Sequence, residues 1–315
     1  MKSVDPAIDP APAAGGTVTR FAPSPSGLLH LGHAASAFFA FDLARSCGGR
    51  FLLRIEDIDE ARCRPEYEQA LIGDLHWLGL EWELPVWRQS ERLEVYRDAL
   101  ERLQTAGVVY PCFCTRREIE QEIARMSRAP HGPEGPLYPG ICRVLPVQEA
   151  RRRAEGGEPH ALRLNVAAAV EVLAGSAGEG RSSWLDWGRG WQTLDPGVLG
   201  DVVLARKDIG TSYHLAVVLD DAAQGVTLVT RGEDLLEATH VHRLLQALLK
   251  LPIPQWWHHG LVRDEQGKRL AKSRQSPPLR ELREQGWTPG HVREAVEGVI
   301  HIARADDYRF QCSPD

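Results

Sequence analysis

The 315-residue chain has no apolar run of about 18 residues, so no membrane-spanning helix is expected. Its opening residues, MKSVDPAIDPAPAAGG, lack a basic stretch leading into an apolar one. No secretory leader is expected there, and residues 1–16 read as a disordered tail. Basic charge is not in excess. The 37 Lys and Arg face 43 Asp and Glu, for a net charge of −6. A bulk polyanion-binding surface is not expected, although a local basic face is compatible with that balance. There is no internal repeat and no glycine-rich P-loop. Cysteine is sparse, with Cys47, Cys63, Cys112, Cys114, Cys142 and Cys312 the six present. Three of them fall as C-x-C…C, a pattern that suggests a metal in a reducing cytoplasm more than a disulfide framework.

Two short elements carry the chemistry. The first, PSPSGLLHLGH at residues 23–33, places His30 and His33 three apart before an Ala/Phe-rich stretch that reads as a helix. Residues at that spacing share a helix face. The start of a helix also offers free N–H groups and a positive dipole, which suits a phosphate. The second, KRLAKS at residues 268–273, sets Arg269 and Lys272 in a loop after Gly267, able to close over the same phosphates. Together they read as two halves of an ATP site.

The intervening sequence alternates strand and helix. TVTRFA is a first strand, and the helix after His30 runs to about Ser46 and stops at Gly48-Gly49. FLLRI suits a buried parallel strand and leads into Glu56, Asp57 and Asp59. Helices follow from Pro65 and from about Glu91 to Thr105. The fold expected is α/β, a Rossmann-like doubly wound parallel sheet. Residues 17–111 form its first half. Residues 112–196, richer in Gly, Pro, Arg and Trp, form an insertion, with Trp184, Trp187 and Trp191 in the insertion's core. Residues 197–275 form the second half with the lysine loop, and 276–315 a short C-terminal helical segment. The Arg151–Arg153 run reads as a solvated helix face.

The motifs RFAPSPSGLLHLGH, RIEDIDEAR, WRQSER, RGEDLL and GKRLAKS, in that order, resemble those of a class I aminoacyl-tRNA synthetase of the glutamyl type. The likeness runs from Arg20 to the mid-280s. The first motif is similar to that family's HIGH element, with Leu31 replacing Ile. The last is similar to its KMSKS loop, with Ala271 replacing a serine. The resemblance implies that His30, His33 and Lys272 are catalytic, stabilising the phosphates during in-line attack on the ATP α-phosphate. It implies an ATP site of His30, Gly32, His33, Arg269 and Lys272, with Mg2+ accompanying the ATP. Glutamate needs two basic partners and one acidic one. The resemblance assigns it Arg20, Phe21, Ala22, Pro23, Ser24, Glu56, Tyr213 and Arg231, with Glu56 taking the α-ammonium. Arginine suits a carboxylate because its pairing is bidentate. Asp57 and Asp59 serve either a metal or local hydrogen bonding.

Cys112, Cys114 and Cys142 offer three thiolates to a tetrahedral zinc. His131 is the ordinary chemical choice for a fourth ligand. The pattern C-x-C…Y-x3-C is similar to that of short glutamyl-synthetase paralogues, which implies Tyr138 and one structural zinc in the insertion. Residues 274–315 are too few for the large anticodon-binding region of a full glutamyl synthetase. Likeness to the short paralogues implies activation of L-glutamate without tRNA. It implies transfer of that glutamate to the queuosine base at the wobble position of tRNA(Asp) by a cytoplasmic monomer. Other readings are a tRNA(Glu)-charging enzyme lacking its anticodon domain, a small-molecule nucleotidyltransferase, and an inactive RNA- or amino-acid-binding regulator.

Overall fold

A computed structural model describes residues 16–126, 131–132, 135–175, 183–262 and 277–300. The expected tail, apart from Gly16, lies outside the described residues, as do Arg269 and Lys272.

The strand Val18–Phe21 pairs in parallel with Arg50–Ile55, Val18 opposite Arg50, and Arg50–Ile55 pairs in parallel with Glu83–Arg88. A second group starts from Leu228–Gly232, which pairs in parallel with Gln255–His259. Ser183–Asp186 joins that group through Trp256 opposite Asp186, and Gly190–Thr193 adds an antiparallel edge. The two groups meet where Val18–Phe21 runs beside Leu228–Gly232. There the Thr227 N–H donates to the Val18 carbonyl at 3.0 Å and the Val18 N–H donates to Thr227 Oγ1 at 2.8 Å. Successive strands step outward in opposite directions from this line. That reversal is the switch point of a doubly wound sheet, where a crevice opens beyond the C-terminal strand ends.

The helix Leu31–Ser46 crosses from the first strand to the second. It has little polar face because it is covered on most sides: Ala34, Ala35, Ala37, Phe38, Phe39, Ala40, Phe41, Leu43 and Ala44 are all buried. One cover is the C-terminal helix Pro289–Ile300, whose Arg293 pairs with Asp42 and stacks 4.1 Å from the Phe38 ring. The crossing helix ends at Gly48, whose φ of +60° suits a residue without a side chain. Gly49 follows, so close to the first strand that a Cβ would lie 2.0 Å from the Thr17 carbonyl oxygen.

A separate antiparallel sheet joins Val109–Cys112, Ala161–Leu164 and Val203–Ala205. Its apolar side packs with Tyr96, Leu100, Leu215 and Leu244 from neighbouring helices. Trp184 and Trp187 do not belong to an insertion core. Because Ser183–Asp186 pairs onto the main sheet, Trp184 packs with Val18, Leu52, Val229 and Trp256, and Trp187 joins the cluster around the crossing helix. Trp191 remains half exposed.

Candidate active site

The crevice at the switch point is a cavity of about 580 Å3. Arg20, Phe21, Ala22, Pro23 and Ser24 line it from the end of the first strand, and His30, Gly32 and His33 from the start of the crossing helix. Glu56, Tyr213 and Arg231 complete the expected set. Every expected glutamate residue and every described ATP residue therefore borders one space.

The two histidines open the helix themselves. His30 is the N-cap and its Nδ1 accepts from the Gly32 N–H at 3.1 Å, while the His30 N–H donates to His33 Nδ1 at 3.2 Å. An imidazole whose Nδ1 accepts carries its proton on Nε2 when neutral. Both ends of the lysine loop return to this place. Val262 lines the cavity, and beyond the loop Pro278 bridges to His30 while the Leu279 N–H donates to the Leu29 carbonyl at 2.8 Å.

Behind Arg20 lies a buried ion cluster. Arg20 Nε pairs with Asp221 Oδ1 at 3.0 Å, and its Nη1 donates to the Thr230 carbonyl at 3.1 Å. Arg54 pairs with Asp221 at 2.7 Å and with Glu56 at 3.1 Å. Asp220 accepts from Gln89 at 2.8 Å, Arg92 at 2.7 Å and Tyr96 at 2.7 Å. Burial works to raise the Asp221 carboxyl, but the Arg20 and Arg54 guanidiniums outweigh it and hold that carboxyl below its ordinary range. Glu56 differs: burial dominates over Arg54 and Arg20 and raises its carboxyl.

Arg231 is held in another way. Its Nε donates to His258 Nε2 at 3.1 Å and its Nη2 to Thr239 Oγ1 at 2.6 Å. Its Nη1 reaches His242 Nδ1 at 3.0 Å and the Tyr213 hydroxyl at 3.4 Å. His258 in turn meets Asp186 Oδ2 through Nδ1 at 2.5 Å, and His242 Nε2 meets His214 Nδ1 at 3.2 Å. Burial lowers His258 and His214 to about 4 and His242 well below its ordinary value. The three rings are thus neutral. Among the described residues no carboxylate lies within ion-pair distance of Arg231, and burial lowers its own pKa. A buried guanidinium held only by neutral acceptors calls for an anion from the cavity.

Asp57 is spent locally, accepting from the Ser90 N–H at 2.9 Å and the Ser90 hydroxyl at 2.6 Å. Asp59 pairs with Arg206 at 3.2 Å. The ion cluster and the imidazole cradle were not anticipated from sequence. The signals available were an arginine inside the apolar FLLRI run and a paired aspartate ending YHLAVVLDD.

The cysteines converge elsewhere, on the antiparallel sheet. Cys114 Sγ lies 3.3 Å from Cys142 Sγ and 3.6 Å from the Tyr138 oxygen, which is 3.3 Å from Cys112 Sγ. A tetrahedral zinc with bonds of about 2.3 Å has ligand–ligand edges of about 3.8 Å, so these four atoms fit its corners after small adjustments. The Cys142 N–H donates to the Tyr138 oxygen at 2.9 Å, and Arg163 covers the Tyr138 ring at 3.8 Å, placing a cation beside the sulfurs. The side chain of His131 lies outside the described residues.

A largely parallel α/β sheet gathers a histidine-capped helix start and an arginine-lined crevice at its switch point, and comparison with known proteins identifies this arrangement as a class I aminoacyl-tRNA synthetase catalytic domain. The family model for tRNA synthetases class I (E and Q), catalytic domain, matches residues 17–299, and the chain belongs to that family. A glutamyl-Q tRNA(Asp) synthetase of Rhodobacter capsulatus is 53% identical over 286 residues, 89% of this chain and 99% of that one. One from Symbiobacterium thermophilum is 44% identical, covering 87% and 83%. Among solved structures, a glutamate tRNA ligase from Elizabethkingia meningosepticum in complex with its amino acid superposes with a TM-score of 0.66 at 29% identity. That match covers 82% of this chain and 52% of the ligase.

Proposed function

We propose that this enzyme activates L-glutamate with ATP, without tRNA, and transfers it to the queuosine base at the wobble position of tRNA(Asp). The observation that carries the amino-acid choice is Arg231, a buried cation on the wall of the cavity with no carboxylate partner among the described residues. A second carboxylate falls to Arg20, and the ammonium to Glu56. The glutamate α-carboxylate attacks the ATP α-phosphate in line, pyrophosphate leaves, and glutamyl-adenylate remains. His30 and His33 present their Nε2 edges to the phosphates, and Lys272 joins them from a loop whose two ends are anchored at this site. The residues work by positioning and by charge stabilisation. The acceptor choice draws on the relatives from Rhodobacter capsulatus and Symbiobacterium thermophilum, which this chain matches over most of both lengths.

The decisive experiment has two stages. Glutamate drives ATP–pyrophosphate exchange in the absence of tRNA. Labelled glutamate then attaches to tRNA(Asp) containing queuosine and not to tRNA(Asp) without it. Charging of the 3′ end of tRNA(Glu) sinks the reading.

Cys112, Cys114, Tyr138 and Cys142 hold one structural Zn2+ in this reading, and Mg2+ accompanies the ATP. Plasma emission spectroscopy finds about one zinc per chain, lost in Cys142→Ser, with thermal stability falling and glutamate exchange persisting at low temperature. The enzyme acts as a monomer in the cytoplasm, where thiolate ligands stay reduced.

A further inference from the structure

A second cavity, of about 440 Å3, lies against the first. The two share Ser24, Ser26, Glu56 and Tyr213 as a common wall. The far side of the second cavity is built by Gln89, Thr211 and Ser212. The Gln89 side-chain oxygen and the Thr211 and Ser212 hydroxyls are buried, and none has a hydrogen-bond partner among the described residues. These residues are 0%, 1% and 8% exposed. Ser212 is also the N-cap of the helix Tyr213–Ala223, yet its side chain makes no cap bond. Buried polar groups are nearly always satisfied, so three orphans around one cavity point to a polar occupant. The carboxyl groups of Glu56 and Asp59 border the same space, and a carboxylate is an acceptor for hydroxyl donors. Ile58, Asp59, Arg206 and Ile209 line both this cavity and a groove of about 750 Å3 outside it, which leads towards the insertion.

We propose that the 440 Å3 cavity receives the acceptor's vicinal diol, with Thr211, Ser212 and Gln89 binding it and the outer groove admitting the nucleoside that carries it. The proposal rests on the activity proposed above and adds the place where the acceptor is recognised. One diol hydroxyl, reaching past Glu56 and Tyr213 where the two cavities adjoin, meets the activated glutamate. Its oxygen bonds to the glutamyl carbonyl carbon to form the ester, the mixed-anhydride bond between that carbon and the phosphate oxygen breaks, and AMP departs with the hydroxyl proton on its phosphate. Carboxylates and buried hydroxyls around one space recognise a diol by hydrogen-bonding complementarity, and an acceptor lacking those hydroxyls leaves them unpaired.

Thr211→Val and Ser212→Ala remove the hydroxyls with little change of shape, and Ile209→Trp occupies the space while leaving every polar side chain of the lining in the sequence. Each variant is assayed for glutamate-dependent ATP–pyrophosphate exchange without RNA, which also reports folding, and for glutamate transfer to queuosine-containing tRNA(Asp). Exchange stays within about twofold of wild type in all three. Transfer kcat/KM falls about 10-fold to 100-fold in Thr211→Val and Ser212→Ala, the loss expected for one buried hydrogen bond, and further in Ile209→Trp. Wild-type transfer in all three variants overturns the proposal, as does a parallel fall in exchange, which assigns these residues to activation. A wild-type enzyme that shows no exchange with glutamate, or exchange without labelling of queuosine-containing tRNA(Asp), instead overturns the underlying activity and this proposal with it.

Discussion

Two buried arginines stand close to the same crevice and are handled in opposite ways. Arg54 is enclosed by Asp221, Asp220 and Glu56, so its charge is answered from within the fold. Arg231 is enclosed by two imidazoles, a phenol and a threonine hydroxyl, and among the described residues no carboxylate pairs with it. The first arrangement consumes its charge in holding elements together: the strand Arg50–Ile55, the helix Tyr213–Ala223 and the segment around Gln89 all meet at Asp220 and Asp221. The second orients a guanidinium without pairing it to a carboxylate among the described residues, which agrees with the glutamate-binding role proposed for it. Burial is therefore a poor guide to role here, and the identity of the partners is a better one.

The comparison can be broken first at Arg54. Arg54→Met leaves buried carboxylates short of a partner and lowers stability by about 3–5 kcal/mol in urea denaturation. A loss below about 1 kcal/mol shows that the cluster does not act as a brace. Arg231→Leu does the reverse. Glutamate-dependent exchange falls about 100-fold to 1000-fold in kcat/KM, while the urea midpoint stays level or rises, because an uncompensated buried charge has been removed. A large stability loss in that variant contradicts the division of roles.

Acid separates the two regions next. His214 and His258 sit at about 4 when folded, below their ordinary 6.5. Between these values the unfolded chain binds protons that the folded rings do not. Stability therefore falls as pH drops from about 6.5 to about 4 and this contribution then levels off. Asp221 has a lowered pKa, so its contribution is present above its ordinary 3.8 and is lost as pH falls beneath that value. His214→Gln shortens the first limb and leaves the second, as followed by thermal melts across pH. The smallest effect is at Tyr96, whose hydroxyl donates to Asp220 at 2.7 Å. Tyr96→Phe costs about 1.5–3 kcal/mol, the range for a hydrogen bond to a charged group, with exchange intact.

The sequence made one region far more legible than the other. His30, His33, Arg20 and Glu56 sit in short contiguous motifs at strand ends and helix starts, where local pattern and position coincide. The brace behind Arg20 is assembled from Arg54, Gln89, Tyr96, Asp220 and Asp221, contributed by separate elements with no shared period, so only the folded chain brings them together. The imidazole cradle combines His242 from a helix with His258 from a strand in the same way. The strand Glu83–Arg88 was hidden because its ELPVWR sequence carries a proline and little alternation. Trp184 and Trp187 were placed by composition in the insertion, whereas the pairing of Trp256 with Asp186 decides their home.

The reciprocal cap of His30 and His33 ties two properties that are usually independent. The contacts that begin the crossing helix are the contacts that aim both rings, so unwinding one turn also misdirects the groups proposed to meet ATP.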